Sequence, residues 1–361
     1  MQGEPGHYFM GENVSDYFAS GAIPHRRRPR YSGKYPRRFA EKYKEHNPAR
    51  YAETIAKVQA SGKTAAGTHR PVMCKETLEI LSPKPGEIVV DCTLGFGGHA
   101  REILPRIQPG GFLIGLDADL IELPKTMERL RAAGFGDTAF RAIRSNFAGL
   151  PKVLASLNIE AVDAVFADLG VSSMQLDNPE RGFSFKFEGP LDMRMNPQRG
   201  KSASDVIQQI SEEALAALLA ENADEPHARR GAAALAGSRF ETTTALAQAV
   251  RDVLPRHARE EQENSIRRVF QALRITVNDE FAALAALLRA LPGVLKARGR
   301  AVILSFHSGE DRRVKKAFEA GLAAGFYRDI AHELVRPTAR ERHANPRSAP
   351  AKLRWAIRAD R

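Results

Sequence analysis

From about residue 86 the chain alternates short apolar runs with amphipathic stretches. EIVVDCTL (87–94) reads as a buried strand, GFLIGLD (111–117) as a second, TAFRAIRS (138–145) as a weaker third and AVDAVFADLG (161–170) as a fourth. Helical periodicity fills the gaps, as in LIELPKTMERLRAAG, where Pro124 must fall in the first turn or kink the helix. Strand–helix–strand alternation implies a parallel sheet covered by helices on both faces. The rhythm stops after about residue 177. Residues 201–269 are Ala-rich and helical, in ASDVIQQISEEALAALLAENA and TTTALAQAVRDVL, with Ser204 and Asp205 predicting a helix start. One long amphipathic helix is predicted over roughly 265–291, then strands at GRAVILSFHS (299–308) and LRWAIRAD (353–360). The expectation is an α/β, doubly wound, Rossmann-like sheet with an inserted α-helical domain, and no internal repeats.

Composition changes this picture at one end. Residues 1–66 carry Arg26, Arg27, Arg28, Arg30, Lys34, Arg37 and Arg38 interleaved with Tyr31, Tyr35 and Phe39, with few aliphatic residues to build a core. Such a basic extension is expected to be largely disordered. It reads equally as an RNA-contacting arm or as a solvated tail. The whole chain of 361 residues has a net charge of +11, which favours an anionic partner, nucleic acid being the commonest, over a merely solvated basic surface. Two cysteines, Cys74 and Cys92, supply neither a disulfide framework nor a zinc motif, so reduced thiols and no metal site are expected. No apolar run approaches the roughly 18 residues of a membrane span. The start, MQGEPGHYFMGENVSDYF, lacks a signal-peptide pattern, and Glu4, Glu12 and Asp16 argue against a transit peptide. A cytoplasmic protein with no membrane partner is expected.

The candidate chemistry sits at strand ends. DCTLGFGGHA (91–100) follows the first strand and opens a helix, and Gly95, Gly97 and Gly98 allow a tight turn and close approach to a ligand. The strict dinucleotide fingerprint G-x-G-x-x-G is not met, since position 100 is Ala100 and His99 intervenes. Asp117 ends the second strand about 20 residues beyond the glycines, where an acid accepts hydrogen bonds from ribose hydroxyls; Asp119 nearby is a candidate helix cap. Glycine loop plus acid fits nicotinamide enzymes and S-adenosylmethionine enzymes alike, and the missing third glycine favours the latter. Asp91 could serve the methionine end of that cofactor. Asp168 ends the fourth strand near the switch point, where a carboxylate can hold an amino group and receive developing charge, or else cap the next turn.

Taken together these segments resemble the ribosomal RNA small subunit methyltransferase H family (MraW-like). The resemblance rests on an ordered set: HRPVMCKE (69–76), DCTLGFGGHA, DLGVSSMQLD (168–177), RGFSF (181–185), GPLDMRM (189–195), FQALRITVN (270–278), SFHSGEDRRVK (305–315) and NPRSAPAKLR (345–354). It runs from about His69 to the C terminus and leaves the extension before residue 67 outside the family. It implies a class I methyltransferase fold that N4-methylates a cytidine of 16S rRNA in the decoding region, with S-adenosyl-L-methionine as cofactor and the small ribosomal subunit as partner. It implies cofactor contacts at Gly97, Gly98, His99, Asp117, Phe147, Asp168 and Gln175. The division expected is 67–177 and 270–361 for the methyltransferase domain and 178–269 for the helical insertion; the oligomeric state stays open, a dimer included. The sequence departs from the family pattern at ADEPHARRGAAA (223–234), before FQALR, and at Gly309, where leucine is commoner.

The mechanism that follows gives Asp168 the catalytic contact with the cytosine amine, and the base must leave its stack to reach it. His307 is a second catalytic candidate and, like Asp311, is expected to face the same pocket, the alternative being a structural turn and cap. The cations of RPTARER and PRSAPAKLR are read as RNA-backbone contacts, and RGFSF with GPLDMRM as the lining of the base entrance or as the seat of the insert. The competing readings are a nicotinamide-dependent oxidoreductase and a non-catalytic ribosome-assembly binder. The first needs the glycine fingerprint that is broken here, and the second needs the cofactor residues to be lost.

Overall fold

A computed structural model describes residues 71–255 and 258–360. The basic extension, and with it the expectation of disorder and RNA contact, lies outside the described residues. The sheet begins with β1 (Ile88–Asp91), β2 (Phe112–Asp117), β3 (Phe140–Arg144) and β4 (Val162–Asp168). It is completed by β5 (Leu295–Ser305), β6 (Tyr327–Ile330) and β7 (Lys352–Arg358) in the spatial order β3-β2-β1-β4-β5-β7-β6. β1 to β5 pair in parallel, and β7 runs antiparallel between β5 and β6. This is the expected Rossmann-like, doubly wound sheet. The order reverses between β1 and β4, which opens a crevice at their carboxyl ends.

The inner strands β1 and β2, and most of β4, are apolar along their length because both faces are covered, whereas β3 at the edge carries exposed arginines. Alternate residues feed opposite layers. Val90, Val165, Ala301 and Ile303 enter a core with Leu154, Leu287 and Phe318. Val89, Ala164, Phe166, Val302 and Leu304 enter the other, with Ile103, Leu104 and Leu130. The first layer takes α4 (Leu150–Ser156) and two later helices; the second takes α1 (Cys74–Leu81), α2 (Gly98–Ile107) and α3 (Glu122–Ala132). Pro124 does fall in the first turn of α3.

A third apolar core belongs to helices between β4 and β5. After α5 (Ser173–Asp177) come α6 (Ala203–Gln209), α7 (Glu212–Ala223), α8 (Ala228–Leu235), α9 (Thr243–Val253) and α10 (Arg259–Val277). The cap of α6 lies two residues before the predicted one: Ser202 and Asp205 form a capping box, each side chain bonded to the other's backbone N–H. The single helix expected over 265–291 is instead two, α10 and α11 (Glu280–Val294). Asn278 ends α10 by spending its side chain on backbone groups, and Asp279 turns the chain at φ 49°. The expected boundary at 269/270 therefore lies inside one continuous helix. β6 is an addition to the expected strands; YRDI has two charged residues at its centre and so shows no apolar run.

Candidate active site

A cavity of about 620 Å³ opens at the carboxyl ends of β1, β2 and β4. The glycine loop is its first wall. Gly97, at φ 80°, turns the chain into α2, a conformation that favours glycine. It stands behind the wall, because a Cβ there would meet Thr126 Cγ2 at 2.9 Å. Gly98 and His99 line the cavity itself. The loop is tied to β2 by Asp117, whose Oδ2 accepts the Gly95 N–H and whose Oδ1 accepts the Asp119 N–H, both at 2.7 Å.

Asp117 shares this cavity with Asp91 and Asp168. Burial pushes Asp91 up to about 7 against the pull of the Thr93 N–H, and the Asp117 charge adds to the rise. Burial likewise lifts Asp117 to about 6, opposed by the two N–H groups it accepts. Asp168 rises furthest, to about 8, through burial first and then the charges of Asp91 and Glu310. Among the described residues no lysine or arginine lies within ion-pair distance of these three acids. Asp168 Oδ1 is buried with no hydrogen-bond partner, while Oδ2 lies 3.7 Å from His99 Nε2. His99 itself packs on the Phe166 ring at 4.4 Å. An acid floor with an orphaned acceptor suits a ligand that brings positive charge and N–H or O–H donors.

Phe147 also lines the cavity, at the start of a short 3-10 turn capped by Asn146. Gln175 lines it too, but its amide is already engaged: Nε2 donates to Asp119 Oδ2 at 2.7 Å and Oε1 accepts the Ser172 N–H at 2.8 Å. Asp119 in turn accepts the Ile121 N–H that opens α3 and pairs with Arg181 at 2.8 Å. The N-cap of α3 is Ile121, not Asp119; Asp119 stands two residues earlier, accepts the Ile121 and Glu122 N–H groups, and ties the end of β2 to α5.

His307 is not brought to the cavity. It packs against Phe281, with Nε2 3.2 Å from Glu310 Oε1, and Glu310 is the residue that reaches the wall. Glu310 is held below the usual carboxylate range: burial raises it, but His307, Arg274 and the Phe306 N–H together outweigh that. Asp311 is likewise elsewhere, bonded to Arg354 Nε at 2.6 Å. Gly309 now has a physical reason. Gly309 is the second residue of α12 (Ser308–Ala323), and a Cβ on it would sit 2.8 Å from the Phe281 ring.

Sequence reasoning missed Glu310, Arg267 and the bidentate Arg274–Glu280 pair, at 2.8 Å for both bonds. The acid three residues beyond His307, in the first turn of a helix that follows a strand, was the available signal for Glu310. Of the segments read as base entrance, Met195 does line the cavity. Phe183, Leu191 and Met193 are buried in the helical core, so those segments mainly seat the insert. Two cations read as RNA contacts make internal pairs, Arg347 with Asp177 and Arg354 with Asp311.

A model of the MraW methylase family matches residues 66–359. The chain belongs to that family. It is a methyltransferase, and S-adenosyl-L-methionine is its methyl donor. Ribosomal RNA small subunit methyltransferase H 2 of Alkaliphilus metalliredigens is 47% identical over 92% of this chain and 98% of its own length. Ribosomal RNA small subunit methyltransferase H 1 of Agathobacter rectalis is 46% identical over 93% and 98%. Residues 67–361 make up less than nine-tenths of the chain, so these alignments reach into the basic extension. Those relatives share part of it, whereas the family model begins at residue 66 and leaves it outside, as expected. Among solved structures, an rRNA methylase from Streptococcus thermophilus is 12% identical over 79% of this chain and 93% of its own, with a TM-score of 0.38. Fibrillarin of Aeropyrum pernix, with S-adenosyl-L-methionine natively bound, is 12% identical over 76% and 67%, with a TM-score of 0.35.

The MraW-family chain has room for its donor. The cavity falls in the range of roughly 300–1,000 Å³ typical of ligand sites. Its acid floor complements a sulfonium and an ammonium, and Gly98 leaves the wall bare where a backbone approach is needed. Among the described residues no helix is long and apolar enough to cross a membrane.

Proposed function

We propose that this chain methylates the exocyclic N4 of a cytidine in the decoding region of 16S rRNA, acting in the cytoplasm on the small ribosomal subunit. The observation that carries the reading is Asp168, a carboxylate at the end of β4 with one buried, unpartnered oxygen inside the donor cavity. The names of the relatives above support rRNA of the small subunit as substrate. In this reading the methyltransferase domain is interrupted after β4 by an inserted helical domain, which ends with α10 at Val277 and not at residue 269.

Asp117 would hold the ribose end of the donor, Phe147 its adenine, and Asp91 its methionine end, with Gly97 shaping the loop that Gly98 and His99 present. Gln175 acts through Asp119 to fix that wall. When bound, the donor supplies an electrophilic methyl group on a positive sulfonium. Cytosine N4 is a poor nucleophile because its lone pair is delocalised into the ring. Asp168 Oδ1 accepts one N–H, which fixes the nitrogen and turns its lone pair toward the methyl group. Transfer leaves the nitrogen with a surplus proton, and an acid with a pKa of about 8 is matched to receive it near neutral pH. His307 acts at one remove, by holding Glu310 in the wall.

Mapping base methylation on 16S rRNA from cells lacking this protein tests the reading. Loss of one N4-methylcytidine, restored by the wild-type chain and not by Asp168→Ala, is expected. An unchanged methylation map would overturn it.

A further inference from the structure

The walls of the cavity are sorted by charge. The floor carries acids, and three arginines line the remainder: Arg267, Arg274 and Arg347. Arg274 is neutralised by Glu280 and Arg347 by Asp177. Arg267 differs. It is exposed on α10, and its guanidinium bonds through Nη1 to the neutral Asn264 Oδ1 at 2.8 Å. Among the described residues that line the cavity it is the arginine with no carboxylate partner. Being both exposed and a lining residue, it stands at the mouth, one helical face with Arg274 seven residues on.

We propose that Arg267 binds a backbone phosphate adjoining the target nucleotide, so that the base enters toward the acid floor while its phosphate stays at the rim. This rests on the nucleic-acid substrate proposed above. Such a ligand is an amine-bearing base joined to an anion, and the cavity offers an acceptor at the floor and an uncommitted cation at the rim. A guanidinium fits the role because its planar fork pairs with phosphate oxygens in two-point geometry. A phosphate contact carries no sequence information, so Arg267 is a positioning residue that sets affinity and register. The donor's own carboxylate is the competing anion, and the experiment separates the two.

The full-length enzyme is assayed for methyl transfer to small-subunit RNA over a range of salt concentrations, alongside calorimetric binding of S-adenosyl-L-methionine. Arg267→Ala is compared with Arg267→Lys and with Arg289→Ala, which removes an exposed cation from α11 that does not line the cavity. For Arg267→Ala the KM for RNA should rise about tenfold with kcat within about twofold, and the slope of log affinity against log salt should shrink by about 0.7–0.9, one phosphate contact. Lysine should restore most of the slope, Arg289→Ala should leave it unchanged, and donor affinity should hold throughout. A slope unaltered by Arg267→Ala, or a loss of donor affinity in its place, overturns the proposal. Failure of the wild-type enzyme to methylate RNA at any salt would instead strike the substrate reading itself.

Discussion

The two ends of the same sheet treat their acids in opposite ways. At the amino-terminal end Glu87 grips Arg300 with two bonds of 2.8 and 2.6 Å, and Asp163 accepts the Ile88 N–H and Lys296 Nζ, each at 2.8 Å. At the carboxyl-terminal end Asp91, Asp117 and Asp168 are gathered with no lysine or arginine partner among the described residues and are pushed up to between about 6 and 8. Paired acids stitch the fold together. Unpaired ones are held at a cost to stability that only a charged ligand can offset. Within one sheet, the presence or absence of a counter-charge separates structural from functional carboxylates.

The sharpest way to break this contrast is Asp168→Asn. Transfer should fall by about a thousandfold in kcat, with donor affinity changed only a few-fold, as single-turnover kinetics and calorimetry would report. The ligand-free variant should melt several degrees higher than wild type at pH 8.5; a lower melting point would deny that the acid is strained there. Removing the acid of a paired site should do the reverse. Glu87→Ala leaves Arg300 without its partner and should cost about 2–3 kcal/mol by denaturant unfolding, with kcat unchanged in the folded fraction. Asp117→Asn should weaken donor binding about 30-fold, since a buried acceptor is lost and the glycine loop loosens.

The smallest effect is the pH profile. The acids of the floor have folded pKa values above their ordinary ones, so their carboxylate forms accumulate as pH rises through about 6 to 8. kcat/KM should therefore climb at least tenfold between pH 6 and 8, and flatten above. Stability of the ligand-free protein moves the other way. A raised carboxyl favours the fold below its unfolded value of 3.8 and withdraws that support as pH climbs through its folded value. A rate profile flat across that window, or one that falls, would contradict the charge state assigned to the floor.

Much of this was legible in the sequence because β1, β2 and β4 are buried on both faces and read as mainly apolar runs ending in acids. Asp117 and Asp168 could be placed from position alone, since ligands in such folds collect at carboxyl ends near the switch point. What escaped were properties set by partners far along the chain. Nothing local in FQALRITVN shows that Asn278 turns its side chain onto Met193 and Met195 and ends a helix there. Gln175 carries a free-looking amide in the sequence and one engaged at both its oxygen and its nitrogen in the fold. His307 sat in the right motif, but helix phase gave the wall to Glu310 three residues later. RGFSF and GPLDMRM were apolar enough for an entrance or a core, and only packing decided between them.

Asn278 carries one more consequence. Its two bonds to the 193–195 segment join points 83 and 85 residues apart, where the chain leaves the sheet for the helices and where it comes back. With departure and return clasped together, the sheet experiences everything between as a single short hairpin. The helical module can then lengthen, shrink or be exchanged between relatives without altering the spacing of the strands beneath it. Grafting a foreign helical module onto this scaffold would have to preserve that clasp before any other contact.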